Sequence, residues 1–191
     1  MGLINHYFGS KRELGYSVLE TLIKYVVIHT EKHPLCGNNL LLLDAAETRA
    51  VNLFLIGGPF HQFYLDTLEE DIFFKYLENQ PISLLETFQD TYGYTISRDM
   101  AVLYSRYIPY MVEKTLVLKK DEGRFPSISN EEIPYQIFVS TYAGRLPQQV
   151  LRDVDRQARV IAPEVVAKLP PVPDEKKLTD IGLLPLQFST Q

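Results

Sequence analysis

SKRELGYSVLETLIKYVVIHTEKHP, residues 10–34, decides the fold class. Ser10, Lys11, Arg12 and Glu13 have the S-x-x-E form of a capping box, in which the Ser10 hydroxyl accepts from the Glu13 amide and a helix starts. Leu14, Val18, Leu22, Tyr25, Val26 and His29 then recur at spacings of three and four, the signature of one buried helix face, until Pro34 ends the pattern. The helix expected is about 23 residues and roughly 35 Å long at ~1.5 Å per residue, which suits a connector between two units.

The same reading continues outward. Leu40 to Ile56 reads as a largely buried helix with Asp44, Glu47, Arg49 and Asn52 as its polar exceptions, stopped by Gly57-Gly58-Pro59. Further helices are expected from Pro59 to about Leu77, from Pro81 to about Tyr92, and from Ser97 to about Lys119-Lys120 with a kink at the interior Pro109. Two more follow at about Pro134 to Ala143 and Pro147 to Leu169, after which Pro170, Pro171 and Pro173 close off helical structure. Alternating runs such as Tyr92 to Ile96 are too short and isolated for a sheet, so the expected class is all-α.

Composition narrows the function classes. At 191 residues and 46% hydrophobic, the chain can bury a real core, and the lone Cys36 allows no internal disulfide. Lys24, Asp44, Glu47 and Arg49 interrupt every apolar run well short of the ~18 residues of a membrane span. Met1 to Leu14 lacks the apolar core of a signal peptide. A soluble, cytoplasmic protein with no membrane partner is therefore expected. The net charge of -5 confines any nucleic-acid contact to a local surface. Asp66, Glu69, Glu70 and Asp71 read as a solvated helix face.

Gly2-Leu3-Ile4-Asn5-His6-Tyr7-Phe8-Gly9-Ser10-Lys11-Arg12-Glu13-Leu14 resembles the end of a TetR-type helix-turn-helix and the start of the connecting helix that follows it. The family pattern is aromatic-Phe, two residues, Lys, two residues, Leu; Tyr7-Phe8, Lys11 and Leu14 keep that spacing, while Asn5 stands where the family often has Tyr. The resemblance implies that residues 1–14 are the incomplete end of a DNA-binding unit, and residues 15–191 a C-terminal ligand-binding and dimerisation domain. It also implies DNA contacts at Asn5, His6, Tyr7 and Lys11, the last at a helix first turn where a cation and free amides meet a phosphate. Because a TetR-type unit has two more helices upstream, the start is expected to be truncated or misassigned, or the unit lost, and the chain as given is expected to bind duplex DNA poorly.

The function expected is a ligand-responsive transcriptional regulator, acting as a repressor; the alternative is a DNA-independent small-molecule binding or scaffold module. Tyr104, Tyr107 and Tyr110 flank the expected kink, Phe54, Phe60, His61 and Tyr64 lie on the helices expected to face it, and His61 and Arg106 are its expected polar anchors; aromatics with polar tips suit a mostly apolar cavity for a small apolar or aromatic effector. Each is also an ordinary core residue when taken alone. A homodimer is expected through the last two helices, with Gly144 permitting close approach and Val150, Val154, Ala158, Ile161 and Val165 forming the apolar stripe. The same stripe could equally pack on its own domain. His29, His33 and Cys36 are close in sequence, but the H-E-x-x-H pattern is absent and neither a metal nor a cofactor is expected. Nucleophile-elbow, phosphate-loop and dinucleotide motifs are absent too, so no enzymatic activity is expected.

Overall fold

A computed structural model describes residues 10–80 and 84–170. Among these residues every regular element is helical, and no helix is long and apolar enough to cross a membrane. The chain is all-α. The expected start of a helix at Pro81, the tail from Pro171 onward and the residues before Ser10 lie outside the described residues.

Helix α1, Lys11–Glu31, begins as its capping residues dictate: Ser10 is extended, and its hydroxyl accepts from the Glu13 amide at 3.2 Å. Helix α2, Leu40–Ile56, is capped by Asn39, whose side chain accepts from the Leu42 amide. The single helix expected from Pro59 to about Leu77 is two, α3 (His61–Glu69) and α4 (Ile72–Glu78). Asp71 between them is left-handed, with φ of 55°. Aspartate tolerates this conformation better than most residues, and here its carboxylate accepts from the Tyr110 hydroxyl and Lys114, both at 2.6 Å. These tertiary bonds hold a break that local periodicity does not signal.

A short helix α5, Gln89–Tyr92, ends at Gly93, whose positive φ of 68° favours glycine. The long helix expected after Ser97 is interrupted: α6 (Arg98–Val102) passes through a π-helical turn at Leu103–Tyr107 into α7 (Ile108–Asp121). Pro109 is the cause. It has no amide hydrogen for the Ser105 carbonyl and its ring crowds that oxygen, and a wider turn, with the Ile108 amide bonding the Leu103 carbonyl, relieves both. Helices α8 (Ile133–Tyr142) and α9 (Gln148–Lys168) complete the described fold.

Helix α2 lies at the centre. Its Ala50, Val51 and Leu55 share one core with Leu19, Leu22 and Val26 of α1 and with Tyr64 and Leu68 of α3. Its Leu41, Leu42, Ala45 and Ala46 share a second core with Phe138 and Tyr142 of α8 and with α9. Alanines on both sides, Ala46 facing the α9 set that includes Ala158, let α2 and α9 approach closely and make this the most extensive helix pair.

That packing corrects the expected dimer stripe. Val154, Ala158, Ile161 and Val165 are all buried inside this one chain, and Val150 packs partly against the same core. Their face is turned to α2 and is not free for a second copy. Gly144 is exposed, with φ of 75°, and a Cβ there would meet nothing within 4 Å. It serves the turn between α8 and α9 rather than a close helix approach.

Candidate functional site

Arg49 is the decisive residue of α2. It sits in a largely apolar helix, is 6% exposed, and must therefore satisfy its guanidinium inside the protein. One terminal nitrogen, Nη1, donates to the Glu131 carbonyl at 2.8 Å; the other, Nη2, forms a short ion pair with the Asp155 carboxylate of α9. The second Asp155 oxygen accepts from Arg159 Nε at 2.8 Å, and Arg159 Nη2 reaches Glu132 at 2.6 Å. Two cations and two carboxylates thus tie α2, α9 and the entry to α8 into one network with balanced charge. Arg49 Nε–H is left over: it is buried and has no hydrogen-bond partner.

Beside this network lies a cavity of about 280 Å³ lined chiefly by Arg49, Asn52, Ile56, Pro134, Arg159 and Pro163. Sequence explains its walls. Arg49 and Asn52 are three residues apart and so share a helix face. Gly57-Gly58 ends α2 at the mouth; Gly57 lines the cavity, and a Cβ on Gly58 would come within 2.6 Å of the Phe54 carbonyl. Pro163, inside α9, has no amide hydrogen to give the Arg159 carbonyl, so the continuous helix lacks one backbone bond where it borders the space.

The floor continues into a second polar group. Asn52, 2% exposed, donates to Glu113 of α7 at 3.4 Å, and the Tyr64 hydroxyl donates to the same carboxylate oxygen through a short bond. Burial pushes the Glu113 carboxyl up to about 7, against the opposing effect of the two donors. The Tyr64 hydroxyl is held well above its ordinary value by burial and by the Glu113 carboxylate. A neighbouring depression of about 300 Å³ shares Ile56 and Asn130 with the cavity and is bordered by His61, whose Nε2 lies 3.1 Å from Asp121.

No protein-family model, curated protein or solved structure matches this chain.

The aromatic set expected to line one pocket is dispersed. Phe54 and Phe60 pack on each other at 5.2 Å, and Tyr64 is fully buried on Glu113. The Tyr110 ring lies 6.3 Å from Phe73 in a stacked arrangement and 5.0 Å from Phe74, while its hydroxyl is taken by Asp71. Tyr104 belongs to the other core, with the Arg145 guanidinium 3.3 Å above its ring, and Tyr107 is 43% exposed. Arg106 donates to the Gln80 carbonyl at 2.5 Å. None of these eight is among the residues lining the Arg49 cavity, and only His61 borders the adjoining depression. The residues that do line it were legible as polar exceptions in α2, Arg49 and Asn52, but their partners on α9 were not.

Of the expected DNA contacts, Asn5, His6 and Tyr7 lie outside the described residues. Lys11 is exposed in the first turn of α1, while its neighbour Arg12 donates to the Glu70 carbonyl at 2.8 Å. His29 Nδ1 is 2.7 Å from the Tyr25 carbonyl, and Cys36 is buried in the second core. Among the described residues no group of three or more His, Cys, Asp or Glu side chains is placed to hold a metal ion.

Proposed function

We propose that this chain is the effector-binding part of a TetR-type transcriptional regulator, with the Arg49 cavity as its effector site. The observation that carries the reading is the position of α2. It supplies Arg49 and Asn52 to the cavity, and it shares a core with α1, the helix that opens with Lys11 after the Tyr7-Phe8 pair. A molecule seated between α2 and α9 changes the spacing of those two helices. Close-packed cores respond to such a change by shifting neighbours rather than by compressing. The movement passes to α1, and through its first turn, fixed by Arg12 on Glu70, to the segment that would meet DNA. The regulator acts in the cytoplasm as a homodimer, through a surface other than the α9 stripe.

The test is DNA binding at low salt against sequence flanking the gene, for the 191-residue chain and for a form extended through upstream in-frame codons. The extended form is expected to bind that DNA specifically, because sequence readout needs a recognition helix held in place by its supporting helices. A folded, extended dimer that ignores that DNA refutes the reading, and a sedimentation measurement showing a monomer at micromolar concentration refutes the dimer. The second reading, a DNA-independent binding module, is favoured by one fact: among the described residues the cavity is lined by α2, α9 and the start of α8, and by none of residues 10–14.

A further inference from the structure

We infer that two copies of this chain meet through the apolar face of α6 and α7, with Leu103, Tyr107 and Met111 of each copy packed on the groove of the other. This rests on the homodimer proposed above and names its surface.

The face owes its continuity to the turn before Pro109. Leu103, Tyr107, Met111 and Thr115 are each four residues apart, and all border a groove of about 530 Å³. In a regular α-helix of 3.6 residues per turn, successive steps of four drift around the axis. The wider π-helical turn at Leu103–Tyr107 removes part of that drift and keeps the four on one side. Val112, Leu116 and Ile128 are half-buried in the groove, and Gln136 of α8 also borders it. Met111 is 56% exposed, and Met100, Leu103 and Tyr107 face water along the same stretch. Single apolar side chains at a surface are ordinary, but a contiguous run of them marks an interaction site.

Charge decides the occupant. Between Met100 and Leu118 the charged residues are Arg106, Glu113 and Lys114, and each is engaged away from the groove. Arg106 donates to the Gln80 carbonyl, Glu113 is buried with Tyr64 and Asn52, and Lys114 pairs with Asp71. A groove lined by no charged side chain offers nothing to a phosphate backbone or a charged peptide. On a chain of net charge -5, many approaches of a second copy bring like charges together, and this face lets two copies meet without that cost. A twofold pairing sets the same patch on both sides, so the protruding Met111 of one copy meets the hollow of the other. Its three rotatable bonds and polarizable sulfur suit an irregular hollow. The outer face of α9, by contrast, presents Arg152, Arg156 and Gln157 to solvent.

Size sets the strength. From Met100 to Leu116 the stripe is about 24 Å long at ~1.5 Å per residue and, with its neighbouring helix ~10 Å away, about 20 Å wide. Two such faces bury on the order of 1,000 Å², enough for a specific interface but short of the roughly 1,600 Å² of a standard one. A reversible dimer, populated at micromolar concentration, is expected of that size.

Sedimentation velocity on the 191-residue chain over a micromolar concentration series tests the surface. Met111→Glu and Tyr107→Glu alter side chains exposed in the single copy, and each brings two carboxylates into the shared face. Each is expected to weaken association roughly tenfold or more, as burial of unpaired charge implies, with an unchanged urea midpoint. Val160→Glu, exposed on the outer side of α9, is expected to leave association unchanged. Should a glutamate variant misfold, the wild type still decides: in the chain labelled with ¹³C-methyl methionine, the Met111 signal is expected to move with concentration as the dimer forms. A dimer that ignores both glutamates, loses association with Val160→Glu, or forms without moving the Met111 signal overturns this surface and leaves the homodimer standing. A wild-type chain that stays monomeric throughout overturns both.

Discussion

Replacing Glu113 by Gln changes how stability depends on pH, and the size of that change follows from its position. The carboxylate is buried among α2, α3 and α7, with Tyr64 and Asn52 donating to it, and its folded value of about 7 stands above the ordinary 4.5. A raised carboxyl binds its proton more tightly in the folded state than in the unfolded state. Its contribution is therefore fully present below pH 4.5 and is lost as pH rises through 7. At ~1.36 kcal/mol per pH unit of difference, ionisation costs the fold about 3 kcal/mol by pH 8. The amide of the variant cannot ionise, so this loss disappears. It also places an NH₂ where an oxygen stood, but that cost does not vary with pH, so the slope isolates the ionisation. Urea unfolding from about pH 4 to about pH 8.5 is expected to show the wild type losing about 3 kcal/mol more than Glu113→Gln across the range. For a chain of this size that corresponds to roughly 6–12 °C in melting temperature. Asp44, pushed up to about 6, and Glu47, pushed up to about 8, act in the same direction and steepen both curves alike. Parallel curves for the two proteins would refute the reasoning.

Arg49→Met leaves Asp155 buried with a cation only on its Arg159 side, and urea unfolding is expected to show a loss of about 3–5 kcal/mol. Ile161→Ala empties a fully buried position between α9 and α2 and is expected to cost about 2–5 kcal/mol in the same assay, without altering the oligomeric state measured by sedimentation. An unchanged stability with a changed oligomeric state would mean that this face meets a partner after all. Ser10→Ala removes the hydroxyl that accepts from Glu13; a loss of about 1 kcal/mol is expected, with faster amide exchange confined to the first turn of α1. Gly144→Ala forces a side chain into a φ of 75° and is expected to cost about 1 kcal/mol by thermal unfolding, although the space there is open.

Local chemistry was written in the sequence and is found in place. The Ser10 cap starts α1, Leu40–Ile56 has the ends that Asn39 and Gly57 set, and both late helices begin beside their prolines. Each depends on groups within a turn of one another, so the chain carries the whole instruction. Pro109 likewise announced an irregularity, although the form it takes, a π-helical turn, depends on how α7 must continue. The break at Asp71 carried no local mark because Tyr110 and Lys114, its hydrogen-bonding partners, are about 40 residues away.

The candidate site and the apolar stripe of α9 divide along the same line. Periodicity established that Val154, Ala158, Ile161 and Val165 share one face and that Arg49 and Asn52 interrupt another. Only the tertiary structure decided that the stripe meets α2 of its own chain, that Asp155 lies opposite Arg49, and that the aromatic set belongs to two cores and the surface. The reason is physical: a face of one helix records that it must leave water, because burial depends on its own side chains. Which surface receives it depends on the shape and charge of residues far along the chain, and those meet only when the helices pack.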